Sequence, residues 1–271
     1  TGLINGSISG GTLTSYAYGI NLSKGTIDKL DNIGIINGTS SGESTKSYGI
    51  NIGNTSGGNI TTLKNIGIIS GNGNNDETYG IDLYNGNMQV LDNIGIISSN
   101  TSGGSYGINL GDTTVTYKGN ITTLRNGGII SGNDNGYGMY ITNGKVGTLE
   151  NTGVIYGKDA AIKFGDNFDS REITTLNNYG ILVTSQNSII DKGWPKNRKI
   201  KSENNYGLYI TKVGGEIEVE AGSVENPHVL AGYDAAENEL FREMNIENND
   251  NKSGKNPFNG KKENSILNAV T

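Results

Sequence analysis

The chain has 271 residues, of which 43 are glycine and only 3 proline, with a net charge of −6 and no cysteine. That balance supplies no basic field for a nucleic-acid backbone, and the missing cysteine excludes disulfides and thiolate metal sites. Apolar runs are too short to span a bilayer, and 14 Tyr outnumber Phe and Trp together, so a core must come from Ile, Leu, Val and Tyr on narrow strands.

The opening Gly2-Leu3-Ile4-Asn5-Gly6 returns as Gly34-Ile35-Ile36-Asn37-Gly38. The sequence is therefore expected to begin partway through a repeat of a longer array, and the opening lacks the basic and apolar regions of a signal peptide. A fuller phrase, "LDNIGIINGT", starts at Leu30 and returns in varied form at Leu63, Leu91, Leu124, Leu149 and Leu176. Its fixed glycines, Gly2, Gly34, Gly67, Gly95, Gly128, Gly153 and Gly180, lie 32, 33, 28, 33, 25 and 27 residues apart. A period in this range signals a solenoid, and its variability suits loops between strands better than rigid helical pairs.

Two further segments complete each repeat. "YGI" stands at Tyr18, Tyr48, Tyr79 and Tyr106, and as "YGM" at Tyr137. "ITTL" begins at Ile60, Ile121 and Ile173, with relatives at Ile27 and Val146. Three short apolar segments separated by turns predict an all-β parallel β-helix (β-solenoid) of about seven rungs, three short strands per rung. At ~4.8 Å per rung the rod is roughly 30 Å long.

Within a rung, period-2 alternation puts Tyr48, Ile50 and Ile52 on one face, which predicts a tyrosine stack inside the rod. The Ile60-x-x-Leu63 step breaks the alternation and predicts a bend. Asn32, Asn65, Asn93, Asn126, Asn151 and Asn177 are expected to form a structural ladder of side-chain amides, with each following glycine releasing the chain where a Cβ would obstruct it.

The pattern divides the chain into a repeat array over 1–182 and a continuation over 183–271; residues 181–271 of the chain hold as many charges as residues 1–180. Residues 185–205, with the only Trp, are predicted to be an inserted loop before one further rung at Tyr206–Ile210. "GGEIEVEAG" alternates as a strand, "AAENELFREM" (235–244) is a short helix candidate, and a polar tail follows.

Taken together, "NIGIISG", "YGI" and "ITTL" resemble the passenger regions of very large type V autotransporter adhesins, the fusobacterial RadD-like ones above all. The resemblance covers about residues 1–182 and 203–212. It implies a right-handed β-helix, export to the cell surface through an outer-membrane β-barrel outside this sequence, and a non-enzymatic, monomeric passenger without cofactors. The implied partner is a host or co-aggregating bacterial surface protein or glycan.

The residues offer competing chemistry. Right-handed β-helices also carry polysaccharide lyases and hydrolases, which need clustered carboxylates, and the best cluster is Asp166, Asp169, Arg171 and Glu172. It reads more simply as a solvated turn, and His228 stands alone, so no catalytic triad forms. The loops at 72–80 and 132–136 offer oxygen ligands without the spacing of a calcium loop. The expected binding residues are Trp194, Lys196, Arg198 and Lys199, an aromatic among cations that has the make-up of an interface hot spot. A purely structural spacer is the third reading.

Overall fold

The computed structural model describes residues 2–221 apart from 10–14, 43, 54, 75, 114–115, 134, 166–170, 192–198 and 214–215. Every described element is a strand, and the strands wind as a right-handed parallel β-helix of about seven coils. One coil shows the construction. Ile35–Ser40, Thr45–Ile52 and Gly58–Asn65 lie in sheets A, B and C respectively. Each strand sends apolar side chains to the axis: Ile36 from A, Ile50 and Ile52 from B, Ile60 and Leu63 from C. Both members of the Ile60/Leu63 pair are fully buried, as the predicted bend requires. Burying one such side chain contributes about 1.5–3 kcal/mol, and stacking repeats the gain at every level.

The stacking is residue on like residue. Ile36 sits against Ile69, Ile50 against Ile81 and Leu63 against Leu91. The core formed in this way runs unbroken to Leu176 and Leu182. On the outside of sheet C the register places Asp31, Lys64, Asp92, Arg125 and Glu150 in one column of alternating sign. Arg125 reaches Asp92 at 2.8 Å and Glu150 at 3.7 Å. A slip by one coil would place like charges together, so this column favours the observed pairing.

The three corners differ in kind. The chain passes from sheet C to sheet A through two residues every time: 33–34, 66–67, 94–95, 127–128, 152–153, 179–180 and 206–207. Between sheets B and C the connection alternates at first between short (23–24, 84–85, 142–143) and long (53–57, 111–118, 165–171), and 192–198 is long again. Much of the variation in repeat length is taken up at this corner.

The asparagine ladder occupies the constant corner. Asn32 Nδ2 donates to Asn65 Oδ1 at 2.7 Å and to the Ile68 carbonyl at 3.0 Å, while its own Oδ1 accepts from the Gly34 amide. Asn65, Asn93, Asn126 and Asn151 continue the chain at 2.7–2.8 Å per step. The next member is Asn178, which passes the bond on to Asn205. The expectation of Asn177 is corrected: ladder residues stand two after the core leucine and two before the glycine, so Leu176 and Gly180 select Asn178. Asn177 is one step out of phase and accepts instead from Asn204. Asn126→Ala removes partners from Asn93, Asn151 and the Val154 carbonyl in a buried site. It is expected to cost about 2–3 kcal/mol in a urea titration, whereas Asn177→Ala should cost under about 1 kcal/mol.

Two stretches of the predicted insertion over 185–205 are strands of the coil. Ile190–Asp191 extends sheet B and Lys199–Asn205 extends sheet C, stacked in register on Glu172–Asn178. Polar composition concealed these strands, because at the end of the stack their outward positions face solvent. The further rung is present as Leu208–Val213 in sheet A, and the alternating segment is the strand Glu216–Ala221, which pairs with it antiparallel. The helix candidate over 235–244 lies outside the described residues.

Candidate functional site: the outer face of sheet B

Sheet B carries the most chemically distinctive surface of the rod, and it begins with a departure from strict alternation. Ser47, Thr78 and Ser105 are fully buried toward the inside. The tyrosine after each therefore points outward, and the glycine after the tyrosine points in again. A Cβ on Gly49 would meet Ile69 Cγ2 at 2.7 Å and the Gly80 carbonyl at 2.5 Å, so only glycine fits there. A local bend then returns Ile50 to the core, and the pairing skips the glycine accordingly.

The tyrosines consequently stack outside the rod, which corrects the expectation of an internal column. Tyr48, Tyr79 and Tyr106 form a cluster separate from the aliphatic core. Ring centroids are 4.9 Å apart for Tyr18–Tyr48 and Tyr48–Tyr79, and 5.1 Å for Tyr79–Tyr106. Tyr140, flanked by the core residues Met139 and Ile141, faces outward and closes on Tyr106 at 5.2 Å. Each ring covers the faces of its neighbours, so Tyr48 is only 7% exposed although it lies on the outer side. Ring faces within the stack are occupied by other rings, and Tyr16 at the first coil remains the most open of them.

One rim of the stack is charged. Lys46 Nζ lies 2.6 Å from Glu77, and the Tyr79 hydroxyl donates to the same carboxylate at 2.7 Å. Burial pushes Glu77 up, but the hydrogen bonds from Lys46 and Tyr79 outweigh it and hold the carboxyl below its usual range. Burial also pushes the Tyr18 hydroxyl up to about 12 and those of Tyr48, Tyr79 and Tyr106 well above the ordinary value.

The other rim is an amide column with one carboxylate in it. Asn51 donates to Asn21 at 2.8 Å, Asn109 to Asp82 at 2.8 Å and Thr142 to Asn109 at 2.9 Å. Asp82 is almost fully buried in this column. Burial raises its carboxyl to about 7, against the Asn109 hydrogen bond and the Lys46 charge, which pull it down.

The expected binding residues are distributed differently. Trp194, Lys196 and Arg198 fall in the connection from sheet B to sheet C and lie outside the described residues. Lys199 opens the strand Lys199–Asn205, opposite Glu172. Of the acidic cluster, Asp166 and Asp169 also lie outside the described residues. Arg171 is buried and donates to the carbonyls of Thr142 and Gly165, and Glu172 pairs with Lys201 at 2.9 Å. In the candidate cation loops, Glu77 is engaged as above, and Asn75 and Asp134 lie outside the described residues.

Periodicity did not reveal that the variable corner is built to hold loops. Tyr117 of the 111–118 loop packs on Tyr84 of the coil before, with centroids 4.9 Å apart, and its carbonyl accepts from Asn143 of the coil after at 3.0 Å. The loop is thus fastened at its base to coils on either side. The isolated tyrosines at 84 and 117, outside every repeated phrase, were the available signal. Comparison with known proteins identifies no relative: no family model, curated protein or solved structure matches the chain.

Proposed function

We propose that the chain is the β-helical passenger of a bacterial surface adhesin: a stiff rod, exported to the cell surface, that presents its B–C corner loops to a host or neighbouring bacterial surface protein or glycan. One observation carries this reading. The polar side chains of the repeats are largely used on one another, in the amide ladders, the alternating charge column and the tyrosine stack. Variation is concentrated at the B–C corner, where the connections 53–57, 111–118, 165–171 and 192–198 are long and 23–24, 84–85 and 142–143 are two residues each. Loops grafted on a rigid frame are the usual seat of recognition, and several on one edge permit multivalent contact.

The chain supplies its own control for a test. Coils with the short connections 84–85 and 142–143 show that the scaffold closes without the long loops. Replacing 111–118 and 192–198 by two-residue connections should leave the thermal midpoint within a few degrees and reduce binding to target cells by tenfold or more, about 1.4 kcal/mol. Unchanged adhesion by the folded variant would overturn the reading.

A further inference from the structure

Sheet A differs from the other two faces in having no charge. The seven strands Leu3–Ile8, Ile35–Ser40, Ile68–Asn72, Ile96–Asn100, Ile129–Gly132, Val154–Gly157 and Ile181–Thr184 contain no Asp, Glu, Lys, Arg or His. Charge returns only in the closing hairpin, at Lys212, Glu216, Glu218 and Glu220. Along the border between this face and the constant corner runs an exposed aliphatic ridge. Leu3, Ile33, Ile35, Ile66, Ile94 and Ile96 are between 36% and 68% exposed. The ridge is built by stacking, since Ile35 lies between Leu3 and Ile68 in register. It ends where the corner position becomes Gly127 and then Thr152.

We propose that this ridge and the neutral face beside it form the interface of a two-fold dimer with a second copy of the same chain. Three features favour a second copy as the occupant. First, the chain carries a net charge of −6, so most contacts between like faces set like charges against each other, and a charge-free face avoids this cost. Second, the ridge is self-complementary: its side chains recur at the ~4.8 Å coil spacing, so an antiparallel copy offers gaps at the spacing of the first copy's knobs. Third, the area is adequate. Two such ridges bury on the order of 1,000 Å² of apolar surface, and the Asn and Ser rows beside them enlarge the contact into the range of stable interfaces. The proposal replaces the expected monomer and rests on this face alone, independently of the adhesin reading.

Sedimentation equilibrium of the full chain from about 1 to 100 μM should show a monomer passing into a closed dimer. Ile66 lies at the middle of the ridge and so nearest the two-fold axis. The cysteine-free sequence makes Ile66→Cys a clean probe: a short bis-maleimide should join two copies, whereas Asn59→Cys on the outer face of sheet C should give none. The triple variant Ile33→Lys/Ile66→Lys/Ile94→Lys should be monomeric over the same range and keep, at every concentration, the thermal midpoint the wild type shows when dilute, because all three side chains already face solvent in the single chain. A wild-type chain that stays monomeric, a lysine variant that still dimerises, or open-ended oligomers in place of a dimer would each overturn the proposal. A monomeric wild type would also be the result if residues 222–271 or a different protein held the face.

Discussion

Gly67→Ala is expected to lower stability by roughly 3–5 kcal/mol. A Cβ at this position would stand 2.0 Å from the Gly34 carbonyl oxygen, 2.8 Å from its nitrogen and 2.9 Å from its carbonyl carbon. All three are backbone atoms of the previous coil and cannot swing aside. The methyl group would have to lever two coils apart at the point where the Ile68 amide donates to that same carbonyl and Asn32 meets Asn65. The glycine is required by the closeness of the neighbouring coil; among the described residues, those with positive φ are Gly25, Gly53, Gly57, Gly111, Gly144 and Asn135, all elsewhere. Gly2 provides the control, because its added Cβ meets nothing within 4 Å, so Gly2→Ala should be neutral. Guanidinium midpoints of the two variants check the pair, and a Gly67→Ala loss below about 1 kcal/mol would contradict the close-approach account.

Asp82 is expected to make the rod more stable in mild acid than at neutral pH. Its carboxyl rises from 3.8 to about 7 in the folded protein. Between these values the folded state holds a proton that the unfolded chain has released, so stability is full below pH 4, falls as pH rises through 7 and is level above. A shift of this size corresponds to roughly 2–4 kcal/mol. Asp82→Asn should recover that loss at pH 8 and flatten the profile. Its amide would also extend the column, accepting from Asn109 and donating toward Asn51, in the sense already set by Asn51 and Asn21. Thermal midpoints of both proteins at pH 4.5 and pH 8 provide the measurement. A wild-type profile that rises with pH would show that the carboxylate is accommodated as an anion.

Much of this architecture was legible because the repeated phrase encodes contacts with its own copies. The period revealed the coil, the three apolar segments revealed the sheets, and Ile60 with Leu63 revealed the bend. The tyrosine column was placed on the wrong side because alternation was carried through Gly49. That residue occupies an inward position for which it has no side chain to mark. Asn177 and Asn178 are chemically identical, and only their distance from Leu176 and Gly180 separates them. The strands at 190–191 and 199–205 went unseen because their outward residues are polar and charged. The loops of the B–C corner left no periodic trace, since only the shared scaffold repeats.

The asparagine ladder has a direction that bears on how such a chain can change over generations. Each Nδ2 from Asn32 to Asn178 reaches the amide of the coil that follows, and those of Asn32, Asn65, Asn93, Asn126 and Asn151 also reach a backbone carbonyl there. Every coil therefore presents the same acceptors to its predecessor and the same donors to its successor. Excising the two coils of residues 68–128 would bring Asn65 beneath Asn151 with no bonding group left over between them, and Lys64 against Glu150 with the charge alternation kept. Unequal recombination between the near-identical stretches that encode these coils thus yields a longer or shorter rod that still folds. Rod length becomes an inherited variable that can be adjusted by whole coils, independently of the lengths of the B–C connections.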